Sequence, residues 1–240
     1  RKTSSSRMAL RANTDSARRR PPSREATRSP ITRLPGAFNP LTARLIQDIG
    51  GFGGVYVSGA VLANDLGLPD IGLTTLSEVA QRSGQIARAT DLPVLVDADT
   101  GFGEPMSAAR TIAALEDAGL AGCHLEDQVN PKRCGHLDGK EVVDKDIMVR
   151  RISAAVNERR DPNFIICART DAAGVNGIDD AIDRAKAYAD AGADLIFTEA
   201  LYSPKDFEKF RAAVDTPLLA NMTEFGKTEL QSAKTLDGLG

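Results

Sequence analysis

One unit recurs along the chain from residue 31 onward: a short apolar run that ends in a polar residue, then a loop, then a stretch with helical periodicity. This alternation predicts β-strands that each lead into an α-helix. Strands that are apolar along their length are typical of a parallel sheet covered by helices. Two candidate folds fit this pattern, a doubly wound sheet and a (β/α) barrel. We count seven predicted strands: 33–39, 54–58, 93–99, 122–127, 164–171, 195–199 and 217–223.

Four amphipathic stretches between these strands predict helices, and a glycine follows two of them at the position of a left-handed C-cap. They are 76–89, 108–118, 145–158 and 178–191, with Gly119 and Gly192 after the second and the fourth. Nearly every predicted strand ends in a polar residue, as active-site groups do at the C-terminal face of a barrel. This favours the barrel over the doubly wound sheet.

Side-chain alternation along the strands places several acids at one rim of the sheet. Asp97 and Asp99 end the third run, and Glu126 lies at the same height in the fourth. Oxygen ligands of this kind suit Mg²⁺ better than Zn²⁺. Taken alone, the two aspartates fit equally well as caps of the following loop, because Asp-x-Asp-x-Gly is common in turns. Glu126 favours the metal site.

The loop after the fourth strand reads Asn-Pro-Lys-Arg-Cys-Gly-His over residues 130–136. Cys134 lies beside two cations and near His136, so its thiol can have a lowered pKa and act as a proton donor or nucleophile. The alternatives are an inert cysteine and a zinc ligand, the latter weak because only His136 lies at ligand spacing. Cys123 and Cys167 are predicted to be packing residues.

The first 30 residues differ in composition from the rest of the chain. They carry nine Lys or Arg and two acids, a net charge of +7, which leaves −10 for the remainder of a chain with net charge −3. This Ser-, Arg- and Pro-rich segment is predicted to be a disordered basic leader, with a transit peptide or a nucleic-acid-binding arm as alternatives. We expect no nucleic-acid partner.

We expect no membrane partner either, because no apolar run reaches the ~18 residues of a membrane span. An odd count of three cysteines fits a reducing compartment. The expected location is the cytoplasm, with the mitochondrial matrix as the alternative.

Eight ordered motifs from about residue 34 onward carry a specific resemblance. They are Tyr56-Val-Ser-Gly59, Leu68-Pro-Asp-Ile-Gly72, Val96-Asp-Ala-Asp-Thr-Gly-Phe-Gly103, His124-Leu-Glu-Asp-Gln128, Lys132-Arg-Cys-Gly-His136, Ala168-Arg-Thr-Asp171, Phe197-Thr-Glu-Ala200 and Leu219-Ala-Asn-Met-Thr-Glu-Phe-Gly226. With these motifs the sequence resembles the isocitrate lyase and phosphoenolpyruvate mutase superfamily. The basic cysteine loop resembles that of its lyase branch.

The resemblance implies a TIM-type (β/α)8 barrel that cleaves 2-methylisocitrate to pyruvate and succinate with Mg²⁺, as in the methylcitrate cycle of propionate breakdown. It also implies a small-molecule substrate and a homotetramer when the chain is complete. Isocitrate lyase or oxaloacetate decarboxylase activity is the alternative within the superfamily. A truncated, inactive fragment is the alternative outside it.

The resemblance also assigns roles to particular residues. The implied metal shell, in part through water, is Asp70, Asp97, Asp99 and Glu126. The implied substrate contacts are Ser58, Gly59, Arg169, Glu199, Asn221 and Thr223. Cys134 is expected to protonate the succinate carbanion, and the residues expected to set its pKa are Lys132, Arg133 and His136. Tyr56 is the candidate base.

The sequence departs from the family pattern in two places. Ala60 stands where many members have a second glycine after the serine. The chain also stops at Gly240, inside the seventh predicted helix, where the family continues past an eighth strand. We therefore expect residues 31–240 to be a catalytic domain that lacks the eighth strand and the C-terminal helices, with open strand edges that favour aggregation.

Overall fold

A computed structural model describes residues 31–135, 137–224, 226 and 228–239, so the predicted leader 1–30 and His136 lie outside the described residues. The described part contains eight helices, six strands and a short 3-10 helix. In chain order these are α1 (Pro40–Ile49), β1 (Val55–Val57), α2 (Gly59–Asp65), α3 (Leu76–Arg88), β2 (Val94–Asp97), α4 (Pro105–Asp117), β3 (Gly122–Glu126), α5 (Lys145–Glu158), β4 (Ile165–Thr170), the 3-10 helix (Ala172–Gly174), α6 (Ile178–Asp190), β5 (Leu195–Thr198), α7 (Pro204–Ala213), β6 (Leu218–Leu219) and α8 (Ala233–Leu239).

The six strands of the described residues form one parallel sheet in the order β1–β2–β3–β4–β5–β6, which is also their order along the chain. Each connection therefore leads to the neighbouring strand. A doubly wound sheet reverses its direction of winding at a switch point, and this sheet does not. The α/β prediction is confirmed, and the winding is that of a half-barrel.

The first predicted strand, 33–39, is present only as a single parallel bridge between Gly36 and Tyr56. Tyr56 N donates to Pro35 O at 2.9 Å. The pairing stays short because Pro35 has no N–H to donate and because the Asn39 side chain already caps α1. The structure thus corrects the prediction of a full strand at this place.

The four predicted helices correspond to α3, α4, α5 and α6 to within three residues at each end. α4 begins earlier than predicted because Pro105 occupies the first turn, where a missing N–H costs little. α3 begins at a capping box formed by Thr75 and Glu78. Within the part of the chain that the structure describes, no helix has the length and apolar character needed to cross a membrane.

The two faces of the sheet differ in chemistry. One face packs against the helices with apolar side chains, and Cys123 belongs to this cluster, as predicted. The other face, on the inside of the half-barrel, is apolar at the start of the strands and charged at their carboxyl ends. Its residues are Tyr56, Leu95, Asp97, His124, Glu126, Cys167, Arg169 and Phe197. The core therefore stops where the candidate site begins.

Gly122 marks a close approach of β3 to β4, and we predict that its replacement weakens the sheet. A Cβ atom on Gly122 would lie 2.7 Å from both the Cβ and the O of Ile165. Gly122→Ala should lower the free energy of unfolding by about 1–3 kcal/mol, measured by urea denaturation.

Gly36→Ala is the matched control for this prediction. No described atom lies within 4 Å of a Cβ built there, so the change should stabilise the protein by about 0.4–1 kcal/mol. Equal effects of the two substitutions would contradict the proposed close approach at Gly122.

Candidate active site

Charged side chains from four neighbouring strands meet at the carboxyl ends of β2, β3, β4 and β5. Asp97 ends β2 and Glu126 ends β3. Arg169 is the second-last residue of β4, and Glu199 directly follows β5. Their exposed fractions are 5%, 0%, 5% and 2%, respectively. The predicted clustering of acids at one rim is confirmed for these residues, and the cluster also encloses a cation.

Arg169 is the centre of the cluster. Its Nε and Nη2 donate to Oδ2 and Oδ1 of Asp171 at 2.9 and 3.0 Å. Nη1 lies 3.2 Å from Glu126 Oε2, and Nη2 lies 3.4 Å from Glu199 Oε2. Burial opposes the charge, but the three acids together raise the pKa of Arg169 well above its ordinary value. The guanidinium is therefore a fixed cation that can bind a carboxylate.

Glu126 is a buried acid with unused hydrogen-bonding capacity. Among the described residues, neither of its carboxylate oxygens has a hydrogen-bond partner. Burial raises the pKa of Glu126 well above its ordinary value, and the nearby Asp171 adds to this, although Arg169 acts in the opposite direction. A buried carboxylate in this state gains free energy by binding a proton or a cation.

Lys132 links two of the predicted metal ligands. Its Nζ lies 2.6 Å from Asp70 Oδ1 and 2.8 Å from Asp99 Oδ1. Burial and the charge of Asp97 raise the pKa of Asp99 to about 6. In the described residues no three His, Cys, Asp or Glu side chains are gathered closely enough to hold a metal ion. With its two short contacts, the Lys132 ammonium neutralises part of the charge of Asp70 and Asp99.

Gly59 brings a backbone N–H against Asp97. Gly59 N donates to Asp97 Oδ2 at 3.2 Å, and a Cβ on Gly59 would lie only 2.8 Å from that oxygen. Asp99 N donates to the other oxygen at 2.9 Å. Burial opposes ionisation, but His124, Lys132 and this hydrogen bond hold the pKa of Asp97 below its ordinary value. Asp97 is thus an ionised, oriented carboxylate.

His124 and Tyr56 form a neutral pair on the floor of the site. Tyr56 Oη lies 2.9 Å from His124 Nε2, and the two rings stack with centroids 5.8 Å apart. Burial lowers the pKa of His124 to about 4, so the imidazole is neutral at pH 7. Burial also raises the pKa of Tyr56 well above 10, so the phenol keeps its proton. The role of Tyr56 as a base stays a prediction.

The described residues of the next loop, 131–135 and 137–140, cover the cluster. Gly135 is buried, and a Cβ there would lie 2.5 Å from Arg169 Nη2 and 2.6 Å from Glu199 Cδ. Only a glycine allows this approach. Cys134, a thiol of intermediate exposure, precedes Gly135 and is thereby brought to the same region.

The structure places Lys132 and Arg133 in positions that do not match the roles implied for them. Lys132 and Arg133 are expected to set the pKa of the Cys134 thiol. In the structure the Lys132 ammonium pairs with Asp70 and Asp99, and Arg133 is exposed. Any effect of these two residues on the thiol stays a prediction.

The remaining implied substrate contacts lie at the rim. Ser58 immediately precedes α2. Asn221 and Thr223 follow β6, and Thr223 Oγ1 donates to Asn221 Oδ1 at 3.0 Å. Their contact with a substrate stays a prediction.

A cleft of about 670 Å³ reaches the acidic cluster at Asp99, and its lining also includes Thr74, Thr100 and Asn130. This volume lies in the range of small-molecule sites. The cleft gives polar solutes a route from solvent to Asp99.

Several residues that organise the site received no role from the sequence. They are His124, Asp127, Gln128, Lys140 and Asp171. Gln128 donates to Arg133 O at 2.8 Å and accepts from Arg133 N at 2.9 Å, which fixes the start of the loop. Asp127 and Asp171 could have been identified from the sequence, because each is a polar residue at the end of an otherwise apolar strand.

Fold and site together define an α/β enzyme with barrel-type winding whose charged centre lies at the carboxyl ends of its strands. Comparison with known proteins gives the family. The sequence model of the phosphoenolpyruvate phosphomutase family matches residues 25–240. The chain belongs to this family.

Two relatives from Corynebacterium glutamicum are similar over most of the chain. One, named probable 2-methylisocitrate lyase 2, is 81% identical over 210 residues, which are 88% of this chain and 68% of that protein. The other, probable 2-methylisocitrate lyase 1, is 73% identical over 228 residues, 94% of this chain and 74% of that protein. The 2-methylisocitrate lyase of Salmonella typhimurium is 48% identical over 200 residues, 82% of this chain and 68% of that protein.

Solved structures show the same fold. A 2,3-dimethylmalate lyase aligns with a TM-score of 0.84 at 36% identity, covering 88% of this chain and 72% of its own. A phosphonopyruvate hydrolase in complex with oxalate and Mg²⁺ aligns with a TM-score of 0.73 at 30% identity, covering 89% and 70%.

The buried His124 generates a prediction on acid stability. Its pKa is about 4 in the folded protein against an ordinary 6.5, so the unfolded chain binds the proton first as the pH falls. Stability is therefore lost between about pH 6.5 and 4, at up to about 1.4 kcal/mol per pH unit from this residue. His124→Gln should flatten this slope in urea denaturation at about pH 6.5, 5.5 and 4.5. Parallel slopes for the two proteins would contradict the neutral imidazole.

Proposed function

We propose that this chain is a carbon–carbon lyase that cleaves 2-methylisocitrate to pyruvate and succinate. The observation that carries the proposal is the buried cluster of Arg169 with Glu126, Asp171 and Glu199 beneath the loop of Cys134. The substrate bears three carboxylates, and Arg169 is a fixed cation whose Nη1 can donate to one of them, because its Nε and Nη2 already donate to Asp171. The 81% identity to a probable 2-methylisocitrate lyase supports the same substrate.

The reaction requires one proton to leave the substrate and one to return. A base removes the hydroxyl proton, the oxygen forms the carbonyl of pyruvate, and the broken C–C bond leaves its electron pair on the carbon of the future succinate. The adjacent carboxylate stabilises that charge as an aci-carboxylate until the carbon is protonated. Cys134 is the proposed proton donor. Tyr56 is the proposed base, and because burial keeps its phenol protonated, this role requires that its proton first passes to His124 Nε2, which lies 2.9 Å away.

We propose that a divalent cation, Mg²⁺, assists this reaction. Asp70, Asp97, Asp99 and Glu126 would hold it, in part through water, because no three of these described side chains are gathered closely enough to ligate an ion directly. The donor set fits a hard cation because all four residues offer carboxylate oxygens and because those of Glu126 lack hydrogen-bond partners among the described residues. When bound, the ion stabilises the negative oxygen that develops on the substrate.

The remaining proposals concern substrate contacts and assembly. Ser58, Gly59, Glu199, Asn221 and Thr223 are proposed to bind substrate carboxylates or its hydroxyl. The half-barrel is proposed to be part of a closed eight-stranded barrel, since its strands follow one another in chain order. We propose a homotetramer as the working assembly.

The substrate is tested with a panel. Purified protein with Mg²⁺ is incubated separately with 2-methylisocitrate, isocitrate, 2,3-dimethylmalate and oxaloacetate, and released 2-oxo acids and dicarboxylates are quantified. We expect the highest kcat/KM for 2-methylisocitrate, with pyruvate and succinate in equal amounts. A higher kcat/KM for any of the other three compounds would overturn the proposed substrate.

The proton donor generates a further prediction. Cys134→Ser should lower kcat at least ~100-fold, the usual scale for a missing general acid, and should change KM less than about threefold. Cys123→Ala is the control, because this thiol is buried in the apolar cluster behind the sheet and should leave kcat nearly unchanged. Similar kcat values for the two variants would show that Cys134 has no special role.

A further inference from the structure

A lysine that the proposed reaction does not use ties the loop 131–140 to the sheet. Lys140 Nζ donates to Gly135 O at 2.6 Å and to Asp171 Oδ1 at 2.8 Å. The side chains of Lys140 and Asp171 are 5% and 0% exposed. A buried ammonium that bridges a loop carbonyl and a sheet carboxylate holds the loop against the sheet, and its removal leaves the loop without that tie.

Asp171 is an anchor shared by the loop and the candidate substrate site. The carboxylate that accepts from Lys140 also accepts both hydrogen bonds from Arg169. The backbone of Asp171 is itself fixed, because its N–H donates to Asp127 Oδ1 at 2.9 Å. The position of the loop and the orientation of Arg169 therefore depend on the same rigid carboxylate.

The loop has little apolar packing of its own to keep it closed. Leu137 is 49% exposed. A cavity of about 60 Å³ lies beside this part of the loop, and Leu137, Lys140 and Tyr202 are among the residues that line it. Lys132 ties the start of the loop to Asp70 and Asp99, so Lys140 is the tie of its later part. A segment held mainly by polar contacts opens more often when one of them is lost, because little apolar burial opposes the opening.

We propose that Lys140 is a positioning residue that ties Gly135 to Asp171 and so holds Gly135, with the adjacent Cys134, over Arg169. The consequence for proton donation by Cys134 rests on the proposed function. The closing of the loop does not.

The test measures loop opening by alkylation of the native protein with iodoacetamide, with the rate at Cys134 followed by peptide mass spectrometry. Lys140→Met should raise this rate at least about tenfold, because a hydrogen-bonded charge pair is lost. Lys140→Arg, which keeps the charge, should stay within about threefold of wild type. Lys145→Met is the matched control, since it removes an exposed Lys–Asp pair outside the loop and should leave the rate unchanged.

Two internal cysteines separate loop opening from unfolding. Cys123 and Cys167 are both 0% exposed and should stay unmodified in every variant. Their alkylation in Lys140→Met, or a wild-type rate at Cys134, would overturn the proposal. In turnover of 2-methylisocitrate, Lys140→Met should lower kcat at least about tenfold with KM changed less than about threefold. If wild-type protein does not turn this substrate over, the proposed function fails, and the alkylation rates still decide the role of Lys140.

Discussion

The buried positive charge of Arg169 is the constraint on which the site depends. A guanidinium inside a sheet is tolerated only where acids and hydrogen bonds compensate for lost water. Here three acids do so, Glu126 at the end of β3, Asp171 after β4 and Glu199 after β5. They can meet one side chain only because these three strands are parallel neighbours in register. The buried charge of Arg169 is therefore compensated only when these strands pair in this register.

A second set of contacts behind the sheet keeps this arrangement rigid. Asp127 accepts hydrogen bonds from Thr170 Oγ1 at 2.8 Å, from Asp171 N at 2.9 Å and from Tyr188 Oη at 2.8 Å. Tyr188 lies on α6, so this helix and β4 are joined at the point where Arg169 is oriented. Groups fixed in this way before a ligand arrives need no reorganisation during the reaction, which is the main source of electrostatic stabilisation in enzymes.

Much of the composition of the site could be predicted from the local sequence pattern of the strands. Period-two alternation placed Asp97, Glu126 and Arg169 on one face, because a strand fixes which side chains share a side whatever lies around it. The contacts of Lys132 and Lys140 could not be predicted, since each joins a loop to an acid at least 30 residues away in the sequence. The strand predicted at 33–39 was reduced to a bridge, because proline and an N-cap override an apolar run.

The central proposal is that the Arg169 guanidinium, fixed by Asp171, binds a substrate carboxylate. The most direct test is kcat/KM of Arg169→Lys for 2-methylisocitrate, with circular dichroism to verify the fold. Lysine keeps the positive charge but cannot form the two parallel hydrogen bonds to Asp171 that fix the guanidinium. The account predicts a fall of at least ~100-fold with the fold retained. A folded variant within about threefold of wild type would contradict it.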